Sequence, residues 1–199
     1  MSLASQPLSR RERNKQEKLD RIIAAASALF AEHGVEEVTT QQIADKADIG
    51  TGTLFLYAKT KGELLLLVQN THYAEALERG RAAAEGVPDV LGAVMAIMQP
   101  IVECNRVQIS NGRTYLREMA FGDPEEPHHV EALAIAGQTE EALAAVLARD
   151  ESRADDAPTL AHIISAIGFL SMASHASSAV SNAAVVEDIR AQVSALLAR

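Results

Sequence analysis

Residues 39–65 read TTQQIADKADIGTGTLFLYAKTKGELL, and this stretch decides the fold. Thr39 followed three residues later by Gln42 has capping-box spacing, which opens a helix by satisfying its free N–H groups. Ile43, Ala44 and Ala47 then form a small apolar stripe, with Ala44 small enough for close helix approach. The Asp48-Ile49-Gly50 sequence breaks that helix, and residues 51–58 are predicted to form a second one that buries Leu54. Thr60 and Glu63 repeat the capping-box spacing and open a third. Two short helices around a turn of three or four residues make a helix-turn-helix, whose second helix fits the DNA major groove.

The run A-x-x-x-T-G-T-L-F-x-Y from Ala47 to Tyr57, followed by T-K-G-E-L-L from Thr60, resembles the signature of the tetracycline-repressor (TetR) family of transcription regulators. The flanks agree: an amphipathic helix ending in Phe30-Ala31-Glu32-His33-Gly34, then Val38-Thr39-Thr40 and Ile43-Ala44. This resemblance covers residues 19–67. Beyond it, the chain matches the family in length and helical character. Asp48, Gly50 and Ala58 depart from the pattern, standing where Gly, Ser and Phe are usual. The resemblance implies a homodimeric repressor that holds a palindromic operator and releases it when a small molecule binds the body. It also implies that Tyr57 and Lys61 hold phosphate, which positions a protein without reading sequence.

The residues themselves suggest further contacts. Thr40 and Gln41 sit in the first turn of helix two, where side chains and free N–H groups can face phosphate; a Gln41 amide also matches adenine. Thr51, Gly52 and Thr53 form the leading turn of the recognition helix, Gly52 allowing close backbone approach. Phe55 can touch a thymine methyl. Phe55 and Tyr57 are equally readable as aromatics of a small core.

The charge distribution suits a DNA partner despite a net charge of −9. Residues 1–62 hold nine Lys/Arg and eight Asp/Glu, whereas residues 63–199 hold nine and nineteen. Arg10, Arg11, Arg13, Lys15, Lys18 and Arg21 make the leading helix basic, either a phosphate-facing surface or a solvated face. The single cysteine, Cys104, excludes an intramolecular disulfide framework and fits a reducing cytoplasm. No apolar run approaches the ~20 residues of a membrane span, and no secretory signal is evident at 1–6.

The expected fold is all-α, with a three-helix DNA-binding head at 1–62 and a larger effector-binding and dimerisation body at 63–199. Residues 1–9 read as a disordered lead. Predicted helices cover 61–85, 89–106 with a kink or split at Pro100, 113–121 after a weak point at Asn111-Gly112, 130–148, 159–178 and 184–197. The first of these, apolar near the head and more polar later, is expected to link head and body. The last two offer dimer faces, through Ala161, Ile164, Ser165, Gly168, Ser171, Met172 and Ser178 on one and Ile189, Val193, Leu196 and Leu197 on the other.

An effector pocket is the second expectation for the body. Met95, Met98, Tyr115, Met119 and Phe121 are candidate lining on the earlier helices, with His162, Phe169, Met172 and His175 on the later one. Ordinary helical core is the plain alternative for each. His128-His129 reads as a solvated loop, and no metal or cofactor is expected. Competing functions are a constitutive, architectural DNA binder and a helical enzyme. Against the enzyme, there is no G-x-S-x-G, H-E-x-x-H or phosphate-cradling glycine loop.

Overall fold

The computed structural model describes residues 9–175 and 179–198; the expected disordered lead at 1–9 lies almost wholly outside this range, as does Ser178. Among the described residues there are helices and one 3-10 turn, with no strand. Helix α1 spans Arg10–His33, α2 Thr40–Lys46, α3 Thr51–Leu54, α4 Lys61–Glu85 and α5 Val90–Arg106. Helices α6, Ile109–Phe121, α7, Pro127–Leu147, α8, Ala157–Ser174, and α9, Asn182–Leu197, complete the body.

The head forms as its caps dictate. Ser9 and Glu12 close a capping box on α1, and Thr39 with Gln42 closes the expected one on α2. Gly34 ends α1 at φ 78°, a conformation that glycine adopts without penalty. Asp48 carries the turn between α2 and α3 at φ 53°, which a short polar side chain tolerates. Arg21 lies 3.4 Å from the Asp48 carboxylate and also bonds its carbonyl, offsetting the negative charge at the turn. Helix α3 is shorter than the expected 51–58. Gly50 gives it no side-chain cap, and beyond Leu54 the backbone continues through bonds from Leu56 to Thr53 and Tyr57 to Leu54. At α4, Thr60 caps Glu63, but the Glu63 carboxylate accepts from Lys59 N–H at 2.6 Å instead of completing the box.

Helix α4 is the axis of the molecule, packing on α1, α5, α6 and α7. Leu64 to Val68 are buried as expected, but so are Tyr73, Ala76, Leu77, Gly80 and Ala84 in the half expected to be polar. Gly80 is there for proximity: a Cβ would meet the Ile97 backbone. Pro100 neither ends nor splits α5. The break comes later, at Val107-Gln108, where α5 and α6 meet at 111°. Asn111 and Gly112 lie inside the first turns of α6, because Gln108 caps that helix and the Gly112 position has no room for a side chain beside Asn105. His128 and His129 lie in the first turn of α7, behind Pro127 and the Glu126 cap, so the solvated loop ends sooner than expected.

The dimer faces need correction. Ala161, Ile164, Gly168, Ser171 and Met172 are buried within this chain, as are Ile189 and Val193 on α9. Helix α8 turns a different stripe outward: Ile163, Ala166, Leu170 and Ala173, with Leu170 64% exposed. Its 18 residues have a mean hydropathy of 1.4, and it packs on α5, α6, α7 and α9.

Candidate nucleic-acid interface and effector cavity

The head brings Gln41 against Thr51, and Thr53 beside Tyr57, and several of the predicted contacts are already engaged. Gln41 donates to Asp45 at 2.7 Å and accepts from the Thr51 hydroxyl at 2.8 Å, so both ends of its amide are held. Thr40, Thr51 and Thr53 are half-buried, whereas Gly52 is open to solvent with nothing near its missing Cβ. Phe55 is 45% exposed, so it is no core aromatic; Tyr57 is half-buried and donates its hydroxyl to the Lys15 carbonyl at 3.3 Å. The Lys61 ammonium spends its three donors on the carbonyls of Val35, Glu36 and Val38, at 2.9, 3.0 and 2.9 Å. In this arrangement Lys61 ties the start of α4 to the turn between α1 and α2.

Two features extend the predicted contacts: an exposed leucine, and the placement of the basic α1 residues beside α3. Leu56, beside Phe55, is 83% exposed. A groove between α1 and α3 is lined by Arg10, Arg11, Lys15 and Lys18, with Thr53 and Tyr57 on the far wall. The basic residues fall at i, i+1, i+5 and i+8, one face of a helix.

The body contains an apolar cavity between α4, α5, α6, α7 and α8. Five of the nine predicted effector residues line it: Met98, Tyr115, Met119, Phe169 and Met172. Tyr73, Ile101, Ile135, Thr139 and Ser165 add to the wall. The other four lie elsewhere. Met95 is buried outside the wall, and Phe121 is 85% exposed at the end of α6. His162 faces solvent and pairs with Glu140 at 3.0 Å. His175 turns its ring back onto the Ser171 carbonyl at 2.9 Å.

The two tyrosines join the cavity to a buried polar network. Their rings stack with centroids 4.1 Å apart. The Tyr73 hydroxyl accepts from Asn105, whose amide also reaches the Gly112 carbonyl. Next to Gly112, Asn111 holds the head directly: it accepts from Val35 N–H at 2.7 Å and donates to the Phe30 carbonyl at 2.9 Å. The Tyr115 hydroxyl donates to Asn70, which donates in turn to the His128 carbonyl and Glu131. The His128 ring lies 3.3 Å from the Tyr57 carbonyl of the head. Burial drives both phenols well above their ordinary pKa, so they remain neutral. Burial likewise pushes the Cys104 thiol up to about 11, with Arg79 opposing and Glu75 reinforcing the shift. A neutral thiol is a poor nucleophile.

A basic groove beside a capped helix-turn-helix, in front of a helical body, is the arrangement expected of a DNA-binding head. Residues 22–68 match the family model described as bacterial regulatory proteins, tetR family. A search of curated proteins finds no match. Among solved structures, a TetR transcriptional regulator from Rhodococcus sp. RHA1 is 17% identical, with 92% of this chain and 97% of that one covered and a TM-score of 0.71. Thermus thermophilus FadR, a TetR family transcriptional repressor solved with lauroyl-CoA, is 20% identical over 90% of this chain and 93% of its own, with a TM-score of 0.70. A TetR/AcrR family regulator from Thermobifida fusca is 19% identical over 89% and 96%, with a TM-score of 0.65. Residues 22–68 thus match the TetR family's model, and the chain as a whole shares the fold of solved TetR-family regulators.

Proposed function

We propose that this chain is a homodimeric repressor, and not an enzyme, that leaves its palindromic operator when a small molecule enters the body. Residues 1–62 act as the DNA-binding head and 63–199 as the effector and dimerisation body. The observation that carries this reading is the buried path between the two. Tyr73 and Tyr115 wall the cavity; Tyr115 is two hydrogen-bonded steps from His128, and Tyr73 is two from the Gly112 carbonyl, next in the chain to Asn111. A ligand that displaces either phenol disturbs Asn111 or His128, and with them the seating of α1 or α3.

On DNA, the open turn at Gly52 and the exposed Phe55 would meet base edges, with Thr40, Gln41, Thr51 and Thr53 around them. Gln41 and Thr51 must first exchange their mutual bond for contacts with bases. Dimerisation would use the outward α8 stripe of Ile163, Ala166, Leu170 and Ala173 beside the small residues Ala184, Ala191 and Ala195 of α9. Two heads related by a twofold axis then read half-sites about one duplex turn apart, ~34–36 Å.

The test is to sequence DNA fragments retained by the purified protein, then measure binding to the recovered site with and without ligand. A palindromic site bound by a dimer and weakened by an effector supports the reading. Binding to unrelated fragments with equal affinity would replace it with an architectural DNA binder.

A further inference from the structure

The wall of the cavity carries no charged side chain, and nearly all its polar atoms are committed. The Tyr73 and Tyr115 hydroxyls serve Asn105 and Asn70, and the Thr139 hydroxyl donates to the Ile135 carbonyl at 2.9 Å. The Ser165 hydroxyl, half-buried on the wall, bonds to no described residue, and the Tyr73 hydroxyl, an acceptor from Asn105, keeps its own proton to donate. Helices α7 and α8, which form one side of the cavity, contain no Lys or Arg at all. Of the cations on neighbouring helices, Arg81 pairs with Glu78 and Gln138, Arg113 with Glu36 and Arg117 with Glu118, while Arg79 lines a different groove beside Glu75 and Glu103. A carboxylate or phosphate entering here would lose water and gain no counter-charge.

Shape narrows the ligand further. The cavity volume is about 70 Å³, within about 560 Å³ of space between side chains that includes the open mouth, so this slot admits only a small or slender group unless its wall moves. Met98, Met119 and Met172 edge it, and unbranched thioether chains yield more readily than branched or aromatic ones.

We infer that the cavity binds a slender, uncharged aliphatic molecule carrying one neutral polar group, such as an alcohol or ketone, with Ser165 as its hydrogen-bond partner. This rests on the cavity being the effector site, and it separates the chain from the acyl-CoA of the Thermus structure. The methionines part around the chain of the ligand. Ser165 fixes one end, and the two tyrosines feel the displacement.

A matched ten-carbon series tests the inference: decan-1-ol, decanoate and decanoyl-CoA, titrated calorimetrically into the full chain at neutral pH. Decan-1-ol should bind at least about tenfold more tightly than either anion, the penalty expected for an unpaired buried charge or polar group. Ser165→Ala should weaken decan-1-ol binding about 2–10-fold, the worth of one net hydrogen bond. Ala136→Phe, at a half-buried position on the wall, should fill the slot and weaken it at least tenfold. Thermal melting checks that both variants fold, and Thr139→Leu provides a second way to crowd the slot. If an anion binds as tightly as the alcohol and loses that binding in Ala136→Phe, the ligand class is overturned and the cavity survives as the site. If Ser165→Ala binds decan-1-ol unchanged, the assigned anchor is wrong. Alcohol binding that ignores both crowding variants, or no binding by any member, overturns the class and the cavity together.

Discussion

In the head, the Lys61 ammonium, Tyr57 hydroxyl and Gln41 amide are all held by other protein groups close to the surface. In the body, the polar atoms of Tyr73, Asn105, Tyr115 and Asn70 are buried and bonded to one another. A surface contact can be exchanged for water or phosphate with little net change, whereas a buried one has no substitute partner. The head can thus re-pair its side chains on DNA, while the body must keep its network or rearrange as a unit. Asn111 stands where the two regimes meet, since a body side chain satisfies two backbone groups of the head.

The contrast breaks most visibly at Asn111. Asn111→Ala leaves Val35 N–H without a partner inside the protein and the Phe30 carbonyl with the Gly34 N–H alone. Chemical denaturation should register a loss of about 2–4 kcal/mol, from one unsatisfied buried N–H and one further lost hydrogen bond. Operator affinity should fall with it, as α1 loosens from the body. A variant with wild-type stability would mean that water replaces the amide and that the head–body junction is wetter than its burial indicates.

Lys61 is the next largest effect and the sharpest discriminator. Its three carbonyl bonds predict that Lys61→Ala destabilises the head by about 1–3 kcal/mol and weakens binding to every sequence. Because the ammonium is engaged inside the head, the dependence of affinity on salt should stay unchanged. If Lys61 instead moves to phosphate on DNA, the slope of log K against log salt should fall by about two units per dimer. Affinity measured between low and moderate salt separates the roles.

The exposed α1 face should behave in the opposite way. Lys15→Gln or Lys18→Gln changes stability by no more than about 0.5 kcal/mol, being a solvent-exposed substitution. Each should nevertheless lower the salt slope by about 0.9 per phosphate lost, twice over in a dimer. An unchanged slope for both would leave the α1–α3 groove as a solvated face.

The head was legible in the sequence because its punctuation is local. Thr39 with Gln42, Gly34 and the Thr51-Gly52-Thr53 turn act over three or four residues, so their spacing carries the answer. The body depends on contacts between distant residues. Nothing near Pro100 tells that α5 continues through it, nor does anything near Asn111-Gly112 tell that this pair lies in the first turns of a helix packed on Asn105. The same limit explains the effector candidates. Met98 and Met95 are both buried on α5, yet only Met98 reaches the cavity, and Phe121 projects outward from the end of α6. On α8 the small residues looked like a partner face. They are small because α8 packs within its own chain, where Gly168 leaves room for the Met98 methyl.

The smallest expected effect at neutral pH concerns Cys104. Its ordinary thiol value of 9.0 is raised to about 11 in the folded chain, mainly by burial. The folded state therefore favours the neutral thiol over the thiolate. That preference contributes its full stability below pH 9, where the unfolded chain also keeps its proton, and is lost as pH rises from 9 through 11. Tyr73 and Tyr115, shifted in the same direction for the same reason, add their loss above pH 10. Denaturation midpoints should be insensitive to these three groups between pH 6 and 8 and fall at higher pH, less steeply in Cys104→Ala. A thiol reagent at pH 8 should react with the folded protein more than about tenfold slower than with free cysteine, since little thiolate is present. Fast labelling at that pH, with the midpoint unmoved, would show that Cys104 reaches water in the folded chain.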